Sequence, residues 1–163
     1  MNPSPTKFWF DAHAHYKLHD MGVIPEKRVE LTIGEIITMP PIGSKYAACA
    51  NKIVALLHKI LQDKYMIGSQ NPVQLNNLLE PKPDISILNF RDDFYASAHP
   101  KTKDVLMLIE VADSSLNYDK SLKSKLYAEA GIAEYLIINL EESQIEFYQN
   151  PKKRKVFEVE YCP

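Results

Sequence analysis

The sequence predicts an α/β fold, a mixed β-sheet with helices packed on it. Three observations carry this expectation. Val105–Val111 and Tyr135–Leu140 are short, nearly unbroken apolar runs, the pattern of central strands covered on both faces. Residues 45–63 place Ala50, Ile53, Val54, Leu57, Ile60 and Leu61 at helical spacing, with Asn51, Lys52, Lys59 and Asp63 on the opposite side. Finally, the runs 145–148 and 156–161 flank a basic turn, Asn150-Pro-Lys-Lys-Arg-Lys155, as a terminal hairpin should.

The other elements follow from local chemistry. Residues 1–7 hold two prolines among small polar residues and read as a flexible leader, leaving 8–163 as a single domain. Phe8-Trp-Phe10 is an apolar cluster that needs a surface to pack on. Asp11 suits the N-cap of a helix running to about Met21, and Gly22 suits its stop. Pro25-Glu-Lys27 reads as a turn. Arg28–Ile33 alternates apolar and polar residues like a half-buried strand; Gly34-Glu35 breaks it and Ile36–Met39 resumes, giving a hairpin or bulged bend. Pro40-Pro41 stiffens the exit, and Ser44 is the expected N-cap of the long helix. Tyr65–Ile67 and Gln70–Leu75 read as extended, residues 76–83 as a polar loop, and Asp84–Asn89 as a strand. A polar loop over 91–104 precedes the first central strand. Asp119 is the expected cap of a helix of about 120–130, stopped by Gly131.

Bulk properties narrow the function. With 163 residues, 45% apolar and 25% charged, the chain suits an ordinary globular domain with one core. A net charge of -2 excludes a protein coated in positive charge but allows a local basic patch. The two cysteines, Cys49 and Cys162, have no partner at metal-ligand spacing, which points to a reducing cytoplasm rather than a disulfide framework. No apolar run approaches the roughly 20 residues that span a bilayer, so no membrane association is expected.

The chemistry gathers between Pro83 and Tyr127. A carboxylate beside a buried strand is costly unless it is paired, hydrogen-bonded or metal-bound. Asp84 starts one strand and Glu110 ends another. If these strands are antiparallel neighbours, the two acids meet at one edge of the sheet. Glu30, on an earlier strand, offers a third oxygen. Hard oxygen ligands suit magnesium or manganese, which activate water and offset charge in phosphodiester hydrolysis. Lys123 lies one helical turn beyond Asp119 and faces the same side, placed to steady water or phosphate charge, and Tyr127 lies one turn further on.

Taken together, Arg28-Val-Glu-Leu-Thr-Ile-Gly-Glu35, Met39-Pro-Pro-Ile-Gly-Ser44, Pro83-Asp84, Leu108-Ile-Glu-Val111, Tyr118-Asp119 with Lys123 and Tyr127, and Ala130-Gly-Ile-Ala-Glu-Tyr135 resemble the Uma2 family, a branch of the PD-(D/E)XK nuclease-like superfamily. The resemblance covers about residues 11–150. It implies a restriction-endonuclease-like mixed sheet flanked by helices and a magnesium-dependent DNA endonuclease. In that reading Glu30, Asp84 and Glu110 are the acidic metal residues and Lys123 is a migrated active-site lysine. Gln70, in Gln-Asn-Pro72, would line the same site, with Asp119 and Tyr127 beside it. DNA is the implied partner, and a homodimer is expected because cutting both strands takes two sites. The chain departs from the pattern twice. Ala112 stands where the superfamily places its lysine, so Lys123 must arrive from the helix, and Tyr46 stands where many family members carry histidine.

Other readings compete. Phe8–His15 contains His13-x-His15, which in a strand would put both imidazoles on one face and resembles the first metal motif of amidohydrolase-type metal hydrolases. The remaining histidines fall mid-helix or in loops, and the chain is short for a (β/α)8 barrel of about 250 residues. Lys152–Lys155 would touch a phosphate backbone or form a charged hairpin turn. Lys101, Lys103, Lys120 and Lys125 flank the acidic residues in sequence and offer a basic surface. The alternative from a different class is a catalytically inactive nuclease fold used for DNA binding or assembly.

Overall fold

In the computed structural model, residues 4, 6–24, 28–149 and 153–158 are described, except for the side chains of 153 and 154. The Pro25-Glu-Lys27 turn, the tip of the C-terminal hairpin at 150–152, and Cys162 lie outside the described residues. Six strands form one mixed sheet in chain order: β3 (Tyr65–Ser69), β4 (Ile85–Asn89), β5 (Val105–Ala112), β6 (Glu134–Asn139), β7 (Gln144–Gln149) and β8 (Lys153–Glu158). Every neighbouring pair is antiparallel except β5 and β6, which are parallel. A parallel pair needs a crossover. Here a helix built from Leu116–Tyr118, Asp119–Lys123 and Ser124–Glu129 provides it.

The sheet is covered on both faces, as the apolar runs require. Side chains alternate along a strand, so β5 sends Ile109 and Val111 to one layer and Leu108 and Ala112 to the other. The first layer holds Cys49, Ile53, Val54 and Leu57 of the long helix α2 (Ser44–Leu61). The second holds Tyr127, Ile132, Tyr135 and Val73. The buried stripe of α2 differs from expectation at Ile60, which is 64% exposed, because the stripe turns through Leu57 to Leu61. Ser44 is the first helical residue rather than the cap. Gly43 holds the cap position without a side-chain hydrogen bond, so the helix starts uncapped.

Ahead of α2, helix α1 (Ala12–Asp20) is capped as expected, with the Asp11 carboxylate accepting from the Ala14 N–H at 2.7 Å. A helix separates residues i and i+2 by about 200°. His15 is therefore buried while His13 is exposed, and the shared-face zinc reading fails. The hairpin β1 (Val29–Thr32) and β2 (Glu35–Thr38) forms a separate two-stranded sheet. All four residues of β1 are buried, not alternate ones, because Glu30 and Thr32 turn towards protein rather than solvent. Gln70–Leu75 is not a strand. Pro72 has no N–H to donate to a ladder, and the segment makes only an isolated bridge, Gln74 with Lys101.

The β1–β2 turn rests on Gly34. Ile33 and Gly34 both have positive φ, at 50° and 71°, as a two-residue type I′ turn requires. A Cβ on Gly34 would lie 2.8 Å from the Cβ of Trp9, and its N–H donates to the Leu78 carbonyl at 2.8 Å. Gly34→Ala is expected to cost about 1–3 kcal/mol, from left-handed strain and displacement of Trp9. Chemical denaturation would show it; a change below a few tenths of a kcal/mol would mean the turn relaxes freely.

Candidate active site

The register of the central strands brings the two predicted acids together. Ile85 pairs with Ile109, so one step outward Asp84 stands opposite Glu110. The Asp84 N–H donates to Glu110 Oε2 at 3.3 Å, and the Val111 N–H donates to Asp84 Oδ2 at 2.8 Å. Glu110 shares its face of β5 with Leu108 and Ala112, the face on which the crossover helix packs. Lys123 Nζ there lies 3.0 Å from Glu110 Oε1, and the Tyr127 hydroxyl donates to the same oxygen at 3.0 Å.

The crossover helix differs from its expected shape. Asp119 is not a cap, since the helix begins at Leu116. Instead Asp119–Lys123 is a π-helical turn. An α-helix advances about 400° over four residues, whereas a π-turn advances less and keeps residues i and i+4 more nearly in line. Asp119 and Lys123 are accordingly both buried, and Lys123 Nζ is 3.7 Å from Asp119 Oδ1. The Ser115 hydroxyl donates to Asp119 Oδ2 at 2.6 Å, while Oδ1 has no hydrogen-bond donor.

Glu30 reaches the cluster from β1 but sits behind the lysine. Its Oε2 is 3.5 Å from Lys123 Nζ and accepts from the Lys82 N–H at 3.3 Å; its Oε1 accepts from the Tyr118 hydroxyl at 2.9 Å and from Thr32 Oγ1 at 3.3 Å. The Gln70 N–H donates to the Asp84 carbonyl at 3.1 Å, but its side chain meets none of the carboxylates. Its amide donates to the Tyr46 hydroxyl at 3.0 Å, and that hydroxyl donates in turn to Asp84 Oδ1.

Arg28, Met39–Gly43, Tyr46, Lys82, Asp84, Glu110, Asp119 and Lys123 line one cavity of about 50 Å³, together with the segment after β5 that includes Asp113. Burial and the facing Glu110 push Asp84 up to about 8, against the pull of the Val111 N–H and Lys123. Burial and Glu110 likewise push Asp119 up to about 7, with Lys123 and the Ser115 hydroxyl pulling the other way. For Lys123, burial works to lower the ammonium, but Glu110, Glu30 and Asp119 together outweigh it and hold the group charged. Tyr118 is raised to about 12 by burial and by Glu30.

This donor set fits a hard divalent cation in part. Asp84 and Glu110 offer oxygens that repel each other, only partly offset by Lys123 and the Val111 N–H, and Asp119 Oδ1 is an orphaned acceptor on the same cavity. Magnesium is commonly held by one or two carboxylates with water completing the shell. Among the described residues, however, no three His, Cys, Asp or Glu side chains form a metal-binding group. Glu30 is ion-paired to Lys123 rather than set beside Asp84, so a three-acid ligand shell is not assembled here.

Sequence reasoning passes over several members of the site, Lys82, Asp113 and Ser115 among them, and gives no role to Tyr46, Arg28 or Tyr118. In sequence Tyr46 is only a departure from a pattern, yet its hydroxyl holds Asp84. Arg28, whose Nη2 is 3.7 Å from Asp84 Oδ1, and Tyr118 carried no signal beyond their places next to β1 and Asp119. Three of the flanking lysines, Lys103, Lys120 and Lys125, are set back along β5 or paired with other carboxylates. Lys103 precedes β5, and the five steps from Val105 to Glu110 span roughly 17 Å of strand. Lys120 pairs with Glu146 at 2.5 Å and Lys125 with Glu129 at 3.8 Å.

The family model of Uma2, whose description reads "Putative restriction endonuclease", matches residues 15–162. Among solved structures, the chain is similar to a protein of Anabaena variabilis described as a "putative nuclease belonging to DUF820". The TM-score is 0.67 at 17% identity, covering 87% of this chain and 84% of that one, a likeness of fold. No curated protein matches the chain. No helix among the described residues is long and apolar enough to cross a membrane.

Proposed function

We propose, for a chain that belongs to the Uma2 family, that the cavity hydrolyses phosphodiester bonds of DNA with the help of a magnesium or manganese ion held by Asp84 and Glu110. The observation that carries this is the placement of Asp84 opposite Glu110 with Lys123 Nζ 3.0 Å from Glu110, all three on one cavity. An ion bound there supplies Lewis-acid polarisation of the phosphodiester and activation of water. Tyr127 and Lys123 fix the rotamer of Glu110. Tyr46 and the Val111 N–H fix Asp84. Lys123, kept charged by three acids, presents a positive group where negative charge develops on the phosphate. Glu30 positions that lysine from behind.

Incubation with plasmid and oligonucleotide DNA tests the reading. Strand breaks are expected with magnesium or manganese and not with EDTA. Glu110→Gln should slow them by about a hundredfold or more, since removing a group that serves charge stabilisation worth several kcal/mol has that effect. No breaks with either ion, on any DNA form, would sink it. The absence of a three-acid grouping among the described residues favours a second reading, a non-catalytic DNA-binding module. That module would bind DNA equally well as Glu110→Gln and cut nothing. A homodimer belongs to the first reading, and exposed Phe8 and Trp9, at 74% and 44%, offer a surface for it.

A further inference from the structure

The cavity around Asp84 and Glu110, at about 50 Å³, has room for an ion and a few waters but not for a nucleoside. A nucleic-acid substrate must therefore lie outside it and present only a phosphate. An open hollow of about 700 Å³, lined by Arg28, Thr38, Met39, Pro40 and Pro41, shares four of those five residues with the cavity. Arg28 stands where the two meet. Its guanidinium is braced rather than free: Nη1 donates to the Pro40 carbonyl at 3.0 Å, and the group lies 5.9 Å from the centre of the Tyr46 ring. Its side chain is still 32% exposed. Lys82, partly buried on the same cavity, has no ion-pair or hydrogen-bond partner for its ammonium among the described residues. The segment after β5 brings the opposite charge to the cavity, the exposed Asp113.

We infer that the substrate strand lies along the β1–β2 hairpin, with Arg28 and Lys82 gripping the phosphate at the cavity mouth and the adjoining nucleoside in the hollow walled by Pro40 and Pro41. This rests on the hydrolase reading above and adds the direction of approach. Arginine suits the role because its planar fork matches phosphate oxygens and stays charged. The rigid diproline wall keeps the hollow open without ordering cost on binding. A chain of net charge -2 thus concentrates its DNA-binding charge on one rim, and Asp113 repels a strand laid across the other.

The test is fluorescence anisotropy of a labelled double-stranded DNA oligonucleotide in calcium, over a salt series. Arg28→Ala should weaken binding about tenfold or more and flatten the salt dependence by about one phosphate contact. Arg28→Lys should keep the salt slope and lose part of the affinity. Because Arg28 also touches Asp84, two variants at residues whose side chains make no hydrogen bond or ion pair with that carboxylate carry independent weight. Lys82→Ala should weaken binding, and Asp113→Asn should tighten it. Wild-type binding with Lys82→Ala and Asp113→Asn both unchanged overturns the inference while leaving the hydrolase reading intact. A wild-type protein that binds no DNA overturns both.

Discussion

Lys123→Ala loses about 3–5 kcal/mol of stability at neutral pH, the cost of leaving buried charge without its partner. Lys123 is 2% exposed, and its ammonium lies 3.0 Å from Glu110, 3.5 Å from Glu30 and 3.7 Å from Asp119. The loss depends on pH with a definite sign. Asp84 and Asp119 are already raised in the folded protein, and the lysine pulls both down. Without it they rise further, so the folded variant keeps protons that folded wild type releases around pH 7 to 8, and its deficit widens as pH climbs through that window. Denaturation at pH 5 and pH 8 should show a deficit much larger at pH 8. Combining Lys123→Ala with Glu110→Gln should cost less than the sum of the two, because the orphaned carboxylate is gone. An additive double variant, or a deficit independent of pH, would mean the lysine does not neutralise these acids.

That cluster explains which parts of the protein could be read in advance. Asp84 and Glu110 were visible because each interrupts or bounds an apolar strand run, and antiparallel pairing then fixes their meeting. Lys123 was visible through its spacing from Asp119, although the spacing suggested an α-helical face where the chain makes a π-turn. A π-turn leaves no mark in an apolar pattern, because it arises from burying Asp119, Lys123 and Tyr127 together against Glu110. The place of Glu30 behind the lysine, rather than beside Asp84, depends on how the β1–β2 hairpin docks against Tyr118 and Lys82, contacts 52 and more residues apart. The full burial of β1 was hidden for the same reason: alternation predicts a solvent face, and here that face meets protein. The two central strands and the α2 stripe were legible because strand and helix periods are local.

Asp84→Asn separates the metal question from the folding question. Below about pH 8 Asp84 is protonated in the absence of a cation, since burial and Glu110 hold it raised. A raised carboxyl contributes stability that is present at low pH and is lost as pH rises through its folded value. The amide has no such titration, so the variant should match wild type near pH 4 and exceed it by a margin that grows up to pH 9. A divalent ion reverses the comparison. Its ligands must be deprotonated, so binding to wild type releases a proton below pH 8 and strengthens as pH rises. Magnesium should therefore raise the melting temperature of wild type more at pH 8.5 than at pH 6, through preferential binding to the folded state. Asp84→Asn should show no magnesium shift at either pH. Thermal melts at both pH values, with and without the ion, decide it. An equal magnesium shift in wild type and variant would place the ion away from Asp84, whereas a variant less stable than wild type at pH 9 would make the carboxylate a structural anchor held by Tyr46 and the Val111 N–H.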